Sequence, residues 1–291
     1  MTENAPQTLQ RKWLVETGWL AAHLDAPDIV VLDASWHLPG TDRDARAEYL
    51  EQRIPGAVFF DIDEISDEAS DLPHMLPSPV KFSSRMRKLG IGDGLRIIVY
   101  DSAGLFSAAR VWWTFRVMGH DDVAVLNGGL PKWLAEDRSI DNGPPPQRTP
   151  RHFTPRHRPA MVRDVNDMRD NIENGKFQTL DARPAARFVG KAEEPRAGLR
   201  LGHIPGSENL PAGMITGKDM TVHDIETLQE LLEDAGIDLT RPVVTTCGSG
   251  VTAAILTLAL AEVGHTDNAL YDGSWSEWGA RDDVPVATGD S

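Results

Sequence analysis

Val243-Val244-Thr245-Thr246-Cys247-Gly248-Ser249-Gly250-Val251-Thr252 carries a β-branched run through two glycines into the apolar segment Val251–Ala261. A β-branched run without polar alternation reads as a strand buried on both faces. The segment after it has no polar face, so it reads as a helix enclosed between a sheet and its neighbours. Strand, glycine turn and buried helix in that order form one unit of a parallel α/β sheet. Cys247 stands at the junction and is the only cysteine of the chain. At a strand's carboxyl end and a helix mouth, backbone N–H groups and the helix dipole favour the thiolate, which is the reactive form. A lone cysteine is otherwise a small core residue. Gly248 and Gly250 around Ser249 argue for the nucleophile, because they let a loop curl its amides toward one point.

The same unit occurs earlier in the chain. Leu32-Asp33-Ala34-Ser35 returns as Leu180-Asp181-Ala182-Arg183, Ile54-Pro55-Gly56 as Ile204-Pro205-Gly206, and Leu126-Asn127-Gly128-Gly129 as Tyr271-Asp272-Gly273-Ser274. The separations are 148, 150 and 145 residues, nearly constant along the chain, which marks a duplicated domain. In the first half Ile29–Leu32, Ala57–Phe60, Arg96–Tyr100 and Val123–Leu126 read as strands. Val80–Leu89, Ala108–Met118 and Pro131–Asp137 read as helices between or after them. The expected architecture is therefore two α/β domains in tandem, each a parallel sheet with helices on both faces, with a ligand at the carboxyl ends of the strands. The halves divide as residues 1–142 and 161–291. Between them, 143–160 holds Pro144-Pro145-Pro146 and continues to Pro155 and Pro159, which suits neither a helix interior nor a central strand. It reads as a solvated linker whose Arg148, Arg151, Arg156 and Arg158 face water. The first-half counterpart of Cys247 is Asp101, which cannot act as a thiol. One half is thus expected to be active and the other to shape an interdomain cleft.

Composition narrows the class of function. The length of 291 residues, with 41% hydrophobic and 25% charged, suits two compact soluble domains. A single cysteine precludes an internal disulfide and fits a reducing compartment. The start, Met1 to Gln7, shows no basic and apolar leader, and the most apolar stretch, Val251–Val263, is too short to span a bilayer, so a cytoplasmic protein is expected. A formal net charge of −15 opposes nucleic acid and anionic membranes as partners. An anionic substrate therefore needs a locally positive pocket.

With Cys247-Gly248-Ser249-Gly250-Val251-Thr252 closing a strand in the second of two α/β halves, the chain resembles the two-domain rhodanese sulfurtransferases, in the form of their 3-mercaptopyruvate branch. The resemblance runs through Phe59-Phe60-Asp61-Ile62-Asp63, His74-Met75-Leu76-Pro77, Arg110-Val111-Trp112-Trp113, Gly202-His203-Ile204-Pro205-Gly206-Ser207 and Tyr271-Asp272-Gly273-Ser274-Trp275-Ser276-Glu277-Trp278. It implies that Cys247 takes sulfur from 3-mercaptopyruvate as a persulfide, releases pyruvate, and passes the outer sulfur to a small thiol, thioredoxin or cyanide. No metal or organic cofactor is implied. The loop amides of Gly248, Gly250, Val251 and Thr252 would surround the sulfur. Arg187 and Arg196 match substrate-binding arginines, whose planar forks suit a carboxylate. Ser249, His74 and Asp63 match a proposed Ser–His–Asp relay, with His74 arriving from the first half. Arg183 and Asp181 are expected in a structural ion-pair network behind the loop.

Thiosulfate sulfurtransferases share this fold, but their loop carries cations that suit a dianion, where this chain has neutral Gly248 and Ser249. A cysteine phosphatase requires arginine six positions beyond the cysteine, and Ala253 stands there. A sulfur carrier without turnover is the remaining alternative, and the retained cysteine, arginines and loop argue against it.

Overall fold

The duplication read from Leu32 and Leu180 corresponds to two five-stranded sheets in the computed structural model, which describes residues 11–289. The segment Met1 to Gln7, read above for a leader, lies outside the described residues. The first sheet is built from β1 (Leu14–Val15), β2 (Ile29–Asp33), β3 (Val58–Phe59), β4 (Arg96–Tyr100) and β5 (Val123–Leu126), in the order β1-β5-β4-β2-β3. The second contains β6 (Val162–Arg163), β7 (Gln178–Asp181), β8 (Ser207–Asn209), β9 (Val243–Thr246) and β10 (Asn268–Tyr271), in the matching order β6-β10-β9-β7-β8. Every named pair is parallel, with Leu32 opposite Val99 in one sheet and Leu180 opposite Thr245 in the other.

Alternation along the strands, hidden in the sequence because both sheet faces are apolar, sorts their side chains into separate cores. Ile29, Val31, Ile98 and Tyr100 join one cluster, whereas Val30, Leu32, Ile97 and Val99 join another. That second cluster continues into the other half through Leu180, Val243 and Leu270. The helix Ala253–Glu262 lies there, packed on β9 and β10 and against the equivalent first-half helix Ala108–Val117. Its burial on nearly every side accounts for a sequence that is apolar except at Thr257 and Glu262. Among the described residues no helix is long and apolar enough to cross a membrane.

Element boundaries shift by one or two residues from the sequence reading. The helix expected at Pro131–Asp137 spans Gly129–Ala135, with Pro131 accommodated in its first turn, where a missing N–H costs nothing. Val251 and Thr252 form a turn ahead of Ala253–Glu262 instead of belonging to the helix. The two-residue strand β1 was too short to register as a period.

The proline-rich connector is exposed along most of its length, Arg151 and Arg156 included, but it is also fastened to the first domain. Arg53, 2% exposed, fastens its start by donating to the carbonyls of Asn142, Gly143 and Pro144 at 3.1, 2.9 and 3.0 Å. Phe153, 1% exposed, inserts between Phe82 and Phe115, and Ser83 Oγ donates to its carbonyl at 2.7 Å. Farther on, the Arg156 and Arg158 amides donate to Met118 O and Val117 O, and the Arg158 guanidinium grips Asp121 with two bonds of 2.6 and 2.7 Å. Gly119 is required for this approach: a Cβ there would lie 2.5 Å from the Arg156 carbonyl. Residues between the prolines supply the hydrogen bonds that the prolines lack, so the segment is a docked strap on the first domain.

Duplication also left a pair of buried carboxylates in different company. Asp181 is neutralised by Arg183 at 2.7 Å, but its counterpart Asp33 has Ser35 in the arginine's place. Burial without a cation raises the Asp33 carboxyl to about 6, against the Ser35 hydrogen bonds that pull it down. Because this folded value lies above the unfolded 3.8, the native state binds the proton more tightly. The contribution of Asp33 therefore turns unfavourable as pH rises from about 4 through 6. Asp33→Asn, which still accepts the Ser35 N–H, is expected to stabilise the protein at pH 7 by on the order of 2–3 kcal/mol and hardly at all at pH 4. Urea unfolding at both pH values measures the difference; equal shifts at both would refute the charge argument.

Candidate active site

The carbonyls of the Cys247 loop are turned outward and fastened. Trp275 N donates to Cys247 O at 2.9 Å, and Ser276 donates to Gly248 O through its amide at 2.9 Å and its hydroxyl at 2.6 Å. Gly250 adopts φ 76°, and a Cβ there would fall 2.8 Å from the Arg110 guanidinium, so only glycine fits. Among the described residues, the amides of Gly248 to Thr252 donate to no protein acceptor. The first half shows what such a loop collects. There Asp101 Oδ2 accepts the amides of Phe106, Ser107 and Ala108 at 2.7, 2.9 and 2.9 Å, and Oδ1 accepts that of Ala103 at 2.9 Å. A carboxylate thus fills the position equivalent to the thiol, and its loop amides converge on negative charge.

Cys247, 2% exposed, opens into a cavity of about 430 Å³ at the carboxyl ends of strands from both sheets. Trp36 and Leu38 follow β2, Leu105 and Phe106 follow β4, Arg187 follows β7, and Pro211 to Gly213 follow β8. Gly248, Ser249, Val251, Thr252 and Arg196 also line it. Gly250, expected at the substrate, does not line the cavity; it faces the interdomain side, where Arg110 and Asp272 crowd it.

Arg187, on the short helix Ala185–Phe188, has no protein hydrogen bond or ion pair for its guanidinium among the described residues, which leaves its fork for an anion. Arg196 reaches back from the 190–200 loop to donate to His74 Nε2 at 3.2 Å. Burial holds its guanidinium below the ordinary arginine range, while Cys247, Asp63 and Glu194 pull it upward. An arginine only donates, so His74 Nε2 must be the bare nitrogen and the ring proton sits on Nδ1, 2.9 Å from Asp63 Oδ1. His74 is the largest cause of a lowered Asp63 carboxyl, which also accepts Trp36 Nε1 at 3.1 Å.

The structure joins two members of the expected relay and leaves the third apart. His74 and Asp63 are paired, but the His74 nitrogen meant for Ser249 is taken by Arg196, and Ser249 Oγ has no protein hydrogen bond among the described residues. Arg183 is spent as expected: it bonds Asp181, Glu194 at 2.7 Å and the Gly202 carbonyl at 2.9 Å. Through Glu194 it anchors the loop that carries Arg196.

Arg110 is the residue that the sequence reading left unassigned. It is 2% exposed, stacks on Trp113 at 4.4 Å and crosses the domain interface. Nη1 pairs with Asp272 Oδ1 at 2.7 Å and donates to Gly250 O at 3.3 Å, and Nη2 donates to His74 O at 2.6 Å. Asp272 Oδ2 in turn accepts Leu76 N at 2.7 Å. One guanidinium thereby fixes both the cysteine loop and the backbone of His74, whose φ of 61° is unusual for a side chain of its size. Its sequence signal was weak, since an arginine inside an aromatic helix shows no period of its own.

The Rhodanese-like domain family matches the chain twice, over residues 16–136 and 164–281. The chain is 43% identical over 275 residues to the 3-mercaptopyruvate sulfurtransferase of Escherichia coli (strain K12), with 94% of this chain and 97% of that one covered. It is likewise 43% identical over 272 residues to the thiosulfate sulfurtransferase of Bos taurus, with 91% of each covered. The crystal structure of SseA from Escherichia coli, presented as the rhodanese fold of 3-mercaptopyruvate sulfotransferases, matches with a TM-score of 0.83 at 40% identity, over 91% of this chain and 100% of that one.

Proposed function

This chain belongs to the rhodanese family, and we propose that it is a 3-mercaptopyruvate sulfurtransferase that carries one sulfur atom on Cys247. The observation that bears most weight is the pairing, in one cavity, of a cysteine in a neutral loop with two arginines, Arg187 and Arg196. The Cys247 thiolate attacks the donor's sulfur, and the donor's carbon–sulfur bond breaks. Its electron pair passes to carbon as the enolate of pyruvate, and the proton from the donor's thiol ends on that carbon. Pyruvate leaves and the outer sulfur stays as a persulfide facing the free loop amides. Arg187 and Arg196 hold the carboxylate and the oxygen on which enolate charge develops. His74 and Asp63 keep Arg196 aimed, while Ser249 offers its hydroxyl to donor or sulfur from the cavity floor. A thiol, thioredoxin or cyanide then removes the outer sulfur. The lone thiol suits a reducing compartment such as the cytoplasm.

Thiosulfate is the competing donor, since the bovine relative that bears that name is as similar as the bacterial one. Thiosulfate is a dianion without a ketone and gains most from cations beside the cysteine, which Gly248 and Ser249 do not provide. The preference for mercaptopyruvate in kcat/KM is expected to be at least about tenfold. Arg187→Ala and Arg196→Ala should each cost about 1.5–3 kcal/mol in kcat/KM for mercaptopyruvate, mostly through KM. Steady-state pyruvate release and thiosulfate turnover on one preparation decide it. Equal use of both donors would remove the donor assignment, and a single burst without turnover would make the protein a carrier.

A further inference from the structure

A three-carbon donor gripped by two arginines occupies a small part of a cavity of about 430 Å³, a size typical of pockets for drug-sized ligands. The two arginines stand on the second domain. The first domain contributes Trp36, Leu38, Leu105 and Phe106, and no charged group of its own. The Trp36 and Phe106 rings stack at 6.0 Å, which stiffens that wall. Leu38 and Leu105 are half-buried: Leu105 packs on the core with part of its side chain, and both turn their remaining surface to the cavity. Such a wall repels a hydrated anion and takes an apolar group. It faces the same space as Cys247, the atom that the second substrate must reach.

We propose that Leu38, Leu105 and Phe106 form an acceptor subsite for a low-molecular-weight thiol with an aromatic or branched aliphatic body. The inference rests on the sulfurtransferase reading above and assigns the chemistry of its second substrate. The acceptor thiolate attacks the outer sulfur of the Cys247 persulfide. A new sulfur–sulfur bond forms as the old one breaks, and the electron pair returns to Cys247 as its thiolate. The acceptor's proton ends on the departing persulfide, and no further oxidant or reductant is needed. Apolar body and wall hold the attacking sulfur in line, an arrangement that raises the rate of the second step alone.

The test separates the two half-reactions. Without acceptor, mercaptopyruvate should give a burst of one pyruvate per chain. With acceptor, benzyl mercaptan and 2-mercaptoethanol, two thiols of similar acidity, are compared. The subsite calls for a kcat/KM at least about tenfold higher with benzyl mercaptan, the scale set by burial of an aromatic ring. Leu38→Asn and Leu105→Asn, read against their own pyruvate bursts, should lose at least about fivefold with benzyl mercaptan and little with 2-mercaptoethanol, because a polar side chain in the wall penalises only the apolar body. A normal burst followed by equal use of the two thiols overturns the subsite alone, as does a variant that slows both acceptors equally. A missing burst overturns the donor assignment, and the subsite falls with it.

Discussion

Cys247→Ser is expected to abolish sulfur transfer, by a factor on the order of 10⁴ or more, while the protein folds as before. The side chain is 2% exposed and is held by no side-chain hydrogen bond, so a slightly smaller hydroxyl leaves the packing of β9 and the helix Ala253–Glu262 intact. Chemistry changes far more than shape. An alcohol is scarcely ionised at neutral pH, and its oxygen does not form a stable carrier bond to sulfur. Wild type treated with mercaptopyruvate should gain about 32 Da, one sulfur atom. Removal of this gain by a thiol reductant separates it from two added oxygens, and the single cysteine then assigns the site. Persistent turnover by the serine protein, or a mass gain in it, would sink the covalent mechanism.

Arg110→Ala should give the largest loss of stability, about 3–5 kcal/mol, the usual consequence of leaving one member of a buried ion pair without the other. Asp272, 3% exposed, would keep its charge with only the Leu76 amide as donor, and the carbonyls of Gly250 and His74 would lose theirs. Arg110→Lys should recover part of this, since an ammonium can answer Asp272 but cannot fork between two loops. Urea unfolding gives the energies. The burst rate of the folded fraction reports on the loops, and it should fall in both variants because Cys247 and His74 lose a shared anchor. A cost below about 1 kcal/mol for the alanine variant would mean that Asp272 finds another partner or water.

The fold was legible wherever the sequence repeated itself. A match such as Leu32-Asp33-Ala34 with Leu180-Asp181-Ala182 needs no propensity argument, and it placed equivalent strands in both sheets. The cysteine loop was legible because Gly250 has one plain reason, its φ of 76° beside the Arg110 guanidinium. Contacts between distant segments were not. The strap reads as linker because prolines dominate its composition, although Phe153 and Arg53 decide its behaviour. Asp63 stands beside His74 as expected, but the contact on the other ring nitrogen was not legible for the same reason: Arg196 and His74 lie 122 residues apart, and only the folded interface brings them together.

The hydrophobic cluster that runs from Val30 and Ile97 through both long helices to Val243 and Leu270 has a consequence for how the duplicated gene product behaves as a material. Each half keeps a cluster of its own on one face of its sheet, but the other face opens into the shared interior, and separation would strand Arg110 on one piece and Asp272 and Glu262 on the other, all buried in the intact chain. The shared cluster predicts that the two halves unfold together in one transition, and two separate transitions in urea would refute it. Severed at the strap, the cysteine-bearing piece would be a sticky fragment, not a minimal enzyme.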